Sequence, residues 1–153
     1  MISKLKYLGT KTEDLIDIYC LYVRSVLEYC SVVFHSSLTA EQSDLLESVQ
    51  SAALFSILGD NFVSSSAARE MAGLDLLSER RERRVEAFTR KSLKHPRHSN
   101  LFPRNVIESD REVRYREPFK VNFARTEFYR KSALIKCQNK ANQMFAEGRL
   151  KLD

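Results

Sequence analysis

The sequence predicts a mainly α protein: a helical hairpin plus further helices in a single orthogonal bundle, with a short extended segment near residues 118–124. Three observations predict it. Apolar residues recur at spacings of three and four along several stretches, as one face of a 3.6-residue helix requires. Thr, Ser and Gly stand at the ends of those stretches, where helix caps belong. Only 4 Gly and 3 Pro occur among 153 residues, so few positions interrupt a helix. The length fits one helical domain, residues 1–153, able to bury a single core.

The first helix opens with Thr10 and Thr12 as candidate caps and with Glu13 and Asp14 in the first turn, where carboxylates suit the helix dipole. Leu15, Ile18, Tyr19, Tyr22, Val26, Tyr29 and Val33 then form one stripe along about 20 residues, which assigns the three tyrosines to the core with their hydroxyls at its rim. Thr39 and Gln42 form a capping-box pattern for the second helix, and Gly59 is placed to end it. Its apolar face reads Leu45, Leu46, Val49, Ala52, Ala53 and Ile57. The linker "HSSLT" is short, so these two helices should form an antiparallel hairpin.

"SSSAAREMAG" reads as a brief serine-capped helix stopped at Gly73, and a third long helix follows with Ser78 as cap and Pro96 as stop. Beyond it, Phe119, Val121 and Phe123 alternate with Lys120 and Asn122 as in a short strand, with Phe119 and Phe123 assigned to the core. Ala133, Leu134, Cys137, Ala141, Met144 and Phe145 return to helical spacing.

Charge is segregated. Residues 1–76 hold 5 basic and 10 acidic side chains, −5, and residues 77–153 hold 20 and 10, +10, which together return the formal +5. The N-terminal half is thus acidic and the C-terminal half basic, a pattern that fits one half facing a polyanion or an acidic partner. At 100° per residue, Arg80, Arg83, Arg84, Arg90, Lys91 and Lys94 fall within an arc of about 120° on the third helix. Glu82 and Glu86 lie outside that arc. Concentrating one sign on a helix face is what phosphate binding requires, since like charges a turn apart repel. Arg111, Arg114, Arg116, Lys120, Arg125, Arg130 and Lys131 are interleaved with Tyr115, Phe119, Phe123, Phe128 and Tyr129, a mixture suited to backbone contacts and base stacking.

Several classes of function are excluded by pattern. No apolar run approaches the roughly 18 to 20 residues of a membrane-spanning helix, and the start "MISKLKYLGTKTEDL" lacks the apolar core of a secretory signal, so the expected location is intracellular, nuclear or cytoplasmic. Cys20, Cys30 and Cys137 are odd in number and lack CxxC spacing, which predicts buried reduced thiols rather than disulfides or a zinc ribbon. No phosphate-binding glycine loop, HExxH pair or GxSxG elbow occurs. His95 and His98 are three apart but separated by Pro96, and His35 reads as a cap or surface residue. No catalytic residue, metal ligand or cofactor is therefore assigned.

"RSVLEY", "LT.EQ", "LE.VQ", "GL..L..RRE.R" and "KHPR.S.LFP", in this order, together with "FKVNFARTEFYRKSA", resemble the region just downstream of the polymerase core in reverse transcriptases of non-LTR retrotransposons, particularly the jockey-like elements. The resemblance runs from about Lys4 to Gln138. It implies a helical thumb or post-palm segment that packs against a template–primer duplex through backbone contacts, here from Arg80, Arg83, Arg84, Lys91 and Lys94. The "YxDD"-type palm segment, fingers and endonuclease are absent, so polymerisation by this chain alone is not expected. Ser51, Ala52 and Ala53 are neutral where related chains carry basic residues, which removes the second helix from the expected contacts.

The resulting expectation is a non-catalytic nucleic-acid-binding module for RNA or an RNA–DNA duplex, with Arg80, Arg83, Arg84, Arg90, Lys91, Lys94, Arg114, Arg125 and Arg130 as the contact residues. The alternatives are a protein–protein interaction module meeting an acidic partner and a retroelement remnant with no independent activity. Oligomeric state and the choice of RNA over DNA are left open by the sequence.

Overall fold

The computed structural model describes residues 1–105 and 117–150. Among them the protein is mainly α, with nine α-helices and no strand. Contacts gather into two compact units, Met1–Ser31 with Leu38–Arg81 and Val32–Ser37 with Glu82–Asp153. The sequence reading treats the chain as one domain with one core; each unit here has an apolar cluster of its own. The change from acidic to basic composition at residue 77 falls close to the Arg81/Glu82 boundary.

In the first unit, α1 (Ile2–Tyr7) and α2 (Thr12–Ile18) lead into a π-helical stretch, Tyr19–Arg24, and the short α3 (Ser25–Leu27). The short α4 (Ser31–Phe34) and a 3₁₀ turn, His35–Ser37, which from Val32 onward belong to the second unit, complete the run, so the single first helix expected from the periodicity is a series of pieces. Its break is local: Cys30 sits at φ +51°, the left-handed region that ends a helix. The buried face also departs from the expected stripe. Leu15, Tyr19, Val23, Leu27 and Ser31, with Ile16, Cys20, Arg24, Glu28 and Val32, turn inward at every fourth residue. A π-helical turn closes over i→i+5 and is wider than an α turn, so the inward face advances by about four residues instead of 3.6. Tyr22, Val26, Tyr29 and Val33 are consequently exposed rather than core. Tyr19 alone of the three tyrosines is buried, its hydroxyl donating to Gln50 Oε1 at 2.9 Å.

Helix α5 (Ala40–Leu58) carries the capping box as expected: Gln42 N–H donates to Thr39 Oγ1 at 3.2 Å and Thr39 N–H to Gln42 Oε1 at 3.0 Å. Gly59 ends it at φ +60°, where a Cβ would stand 2.6 Å from Lys6 Nζ. Ile57 is buried, but Leu45, Val49 and Ala52 are exposed and Leu54, outside the expected face, is fully buried. The inward face is partly polar because Gln50 and Glu47 bind other elements. Gln50 Nε2 donates to Asp75 O at 3.0 Å. Helix α6 (Ser65–Met71) is capped by Ser64. Ile2, Leu15, Tyr19 and Ile57 form the first core.

Helix α7 (Leu77–Leu93) contributes Leu77–Arg81 to the first unit and Glu82–Leu93 to the second. Ser78 is not its cap. The Glu47 carboxylate accepts from Leu77 N–H at 3.2 Å and Ser78 N–H at 2.8 Å, satisfying two orphan donors and placing negative charge at the positive end of the helix. Pro96 stops α7 and begins a 3₁₀ segment, Pro96–Leu101.

The second unit continues with α8 (Glu127–Arg130) and α9 (Ala133–Ala146). Phe119 is buried and its ring meets Phe102 edge-on at 6.1 Å, within a core that includes Val85, Cys137 and Ala141. Phe123 is 84% exposed, against its expected core position. The extended segment forms a single antiparallel bridge, Arg104 to Phe119, and no strand. Some of its backbone groups are taken by amide side chains of α9. Asn142 accepts from Phe119 N–H and donates to Phe119 O, both at 3.0 Å, and Gln138 accepts from Asn122 N–H at 2.9 Å. Those amides explain why Gln138 and Asn142 are buried on a face whose spacing predicts apolar residues. Cys137 is buried as expected, and burial pushes its thiol pKa up; Cys20 is half-buried and Cys30 is exposed.

Candidate nucleic-acid interface

Within the second unit, α7 turns Val85, Thr89 and Ser92 inward and Arg83, Arg84, Ala87, Phe88 and Lys91 outward, and Lys94 just beyond the helix is exposed as well. A Thr at the centre of the inward face is tolerated because its hydroxyl donates to Val85 O at 2.8 Å.

The carboxylates on this part of α7 are committed elsewhere. Glu82 Oε1 lies 2.6 Å from Lys140 Nζ, while Glu82 Oε2 lies 2.8 Å from His35 Nε2 and 3.3 Å from Lys136 Nζ. Burial works to raise the Glu82 pKa, but hydrogen bonds from Lys140 and His35 and the charges of Lys136 and Lys140 hold it at about 2. His35 is thus a hydrogen-bond partner of Glu82 on α7, not the cap or surface residue its position suggests. Glu86 pairs with Arg90 at 3.0 Å and with Arg149. The hydrogen bond from Arg149 holds its carboxyl below the usual range against a smaller cost of burial.

Arg149 reaches Glu86 because of how α9 ends. Gly148 adopts φ +68°, and Arg149 N–H folds back to Met144 O at 2.9 Å, a left-handed termination that returns the chain. The result is an open concavity of about 580 Å³. Among the described residues Arg83, Arg90, Lys91, Lys94 and Arg149 line it, with Glu86 the one carboxylate. Sequence reasoning missed Arg149; the signal was the "EGR" stop at the end of the last helical pattern.

The expected contact residues divide. Arg83, Arg84, Lys91 and Lys94 share the exposed face. Arg90 lines the groove but is half-buried and bound to Glu86. Arg80 is removed from the set. Its Nε donates to Glu28 Oε1 at 2.5 Å and its Nη2 to Glu28 Oε2 at 3.2 Å, on a carboxylate only 2% exposed. That hydrogen bond raises the Arg80 pKa. The neighbouring Arg81 is fully buried with Nη2 donating to Ser43 Oγ at 2.7 Å. Arg125 is exposed ahead of α8, and Arg130 is exposed within it but paired to Glu127. Arg114 lies outside the described residues.

Among the described residues no group of three or more His, Cys, Asp and Glu side chains is arranged to hold a metal ion, and no helix is long and apolar enough to cross a membrane. The rings of His95 and His98 lie 4.8 Å apart, and His95 Nδ1 accepts from Arg97 N–H at 3.2 Å, a cap of the 3₁₀ segment. No protein-family model, curated protein or solved structure matches the chain.

Proposed function

We propose that this chain is a non-catalytic module that holds the phosphate backbone of RNA or an RNA–DNA duplex on the outward face of α7, and that it derives from the thumb or post-palm segment of a retrotransposon reverse transcriptase. One observation carries the reading: Lys91 and Lys94 stand exposed on the outward side of α7, on the side that also carries Arg83 and Arg84, while Glu82 and Glu86 are bound by Lys140, Arg90 and Arg149. A surface helix that only needs solvation mixes signs along its exposed face. Beyond its first turn, where Glu79 is exposed, the charged outward side chains described on this helix are positive, beside a groove to which Arg149 adds a further cation. The ordered segments from "RSVLEY" to "KHPR.S.LFP" support the retroelement origin. The reading places the module in the nucleus or cytoplasm and gives it no polymerase activity of its own.

Charge reversal tests it. Lys91→Glu with Lys94→Glu weakens retention on RNA and on duplex while leaving circular dichroism and thermal melting unchanged, and Arg83→Glu with Arg84→Glu weakens retention without unfolding the protein. Undiminished retention rejects the proposal.

A second reading, a protein-interaction module, is favoured by the exposed Leu21, Tyr22, Val26 and Tyr29 of the first unit. Size-exclusion chromatography at two salt concentrations, with and without a generic oligonucleotide, separates the two. A self-associated or partner-bound species indifferent to oligonucleotide supports this second reading.

A further inference from the structure

Phe123 and Phe128 stand on the surface with 84% and 86% of their area exposed. Their segment is pinned on both sides. Phe119 is clamped by Asn142, Asn122 N–H is held by Gln138, and Thr126 Oγ1 caps α8 by accepting from Tyr129 N–H at 3.2 Å. The rings are therefore presented from a segment anchored at Phe119, Asn122 and Tyr129, which lowers the entropic cost of ordering them on binding.

The surroundings specify what such rings fit. Between Pro118 and Ser132 there are four cations, Lys120, Arg125, Arg130 and Lys131, and one carboxylate, Glu127. Arg130 and Lys131 both bind Glu127, and Lys120 and Arg125 are exposed three residues before and two residues after Phe123. Every exposed large apolar side chain of this stretch is aromatic, while Val121 is half-buried. A bilayer surface inserts aliphatic side chains as readily as aromatic ones, whereas an unpaired base stacks on a flat π-face and its phosphate favours a cation nearby.

We propose that Phe123 and Phe128 are stacking platforms for unpaired bases of a single-stranded nucleic acid, whose phosphates are met by Lys120 and Arg125. This rests on the nucleic-acid reading above and adds a strand type to it: duplex backbone on α7, unpaired strand on the aromatic segment.

Fluorescence anisotropy tests it with one labelled single-stranded oligonucleotide, the same strand annealed to its complement, and vesicles of anionic phospholipid. Phe123→Ala with Phe128→Ala lowers single-strand affinity by about tenfold for each ring and leaves duplex affinity unchanged. Phe123→Leu with Phe128→Leu, which keeps apolar area without a π-face, is as weak as the alanine pair. Single-strand affinity that survives the alanine pair, while Lys91→Glu with Lys94→Glu lowers binding to both oligonucleotides, overturns the stacking inference and leaves the α7 reading intact. Full recovery by leucine, or vesicle binding lost with the rings while oligonucleotide binding persists, also overturns it. A wild-type chain that binds neither oligonucleotide removes both.

Discussion

Glu28 and Glu82 each decide what neighbouring cations do. Buried at 2% exposure, Glu28 is held by the Arg80 guanidinium through two hydrogen bonds, so the pair belongs to the first unit's interior rather than to a binding surface. Removing one member of a buried pair strands the other charge, which costs about 3–5 kcal/mol. Glu28→Ala should lower urea stability by an amount of that order, and Arg80→Gln should destabilise the chain without changing its affinity for oligonucleotide. Glu82 acts through pH. Its carboxyl is held at about 2 against an ordinary 4.5, so its ionised form favours the folded state. That contribution is fully present above about 4.5 and is lost as pH falls toward 2. An acid titration followed by circular dichroism should show Glu82→Gln less stable than wild type at neutral pH and less sensitive to pH across that window. Six cations on one arc were legible from 100° steps, but the removal of Arg80 was not, because its partner stands 52 positions away.

At the scale of elements, caps written in adjacent residues were legible and caps donated across the fold were not. Thr39 and Gln42 satisfy each other three residues apart, and the spacing alone declares them. The start of α7 is instead satisfied by Glu47 from α5, some thirty positions upstream, leaving Ser78 with a cap-like position and no capping role. Glu47→Ala should therefore cost about 1–2 kcal/mol in chemical denaturation, the range for losing an N-terminal cap, whereas Ser78→Ala should cost little. The first helix shows a different obstacle. A 3.6-residue template selects Tyr22, Val26 and Tyr29, and the wider π-helical turn at Tyr19–Arg24 explains why Tyr19 and Val23 face the core instead. In the C-terminal half, Gln138 and Asn142 occupy core positions because their amides complete the hydrogen bonding of an extended segment, a pairing that hydrophobic periodicity does not encode.

For the molecule as a whole, the mainly α architecture followed from the scarcity of Gly and Pro and from helical spacing, while the separation into two units, each with a core, did not. Periodicity reports which face of an element is apolar and not which other element covers it. The acidic first half and basic second half map closely onto those units, so the excess of positive charge concentrates in the second. The central claim is that phosphates bind the α7 face through Arg83, Arg84, Lys91, Lys94 and the Arg149 groove. Its most direct test is the dependence of duplex affinity on salt, for wild type and for Lys91→Gln with Lys94→Gln. Counterion release predicts a linear fall of log K with log salt, with wild-type affinity dropping about a hundredfold or more between about 50 and 200 mM and the variant's slope shallower by about two. A wild-type slope near zero, or identical slopes for the two proteins, contradicts it.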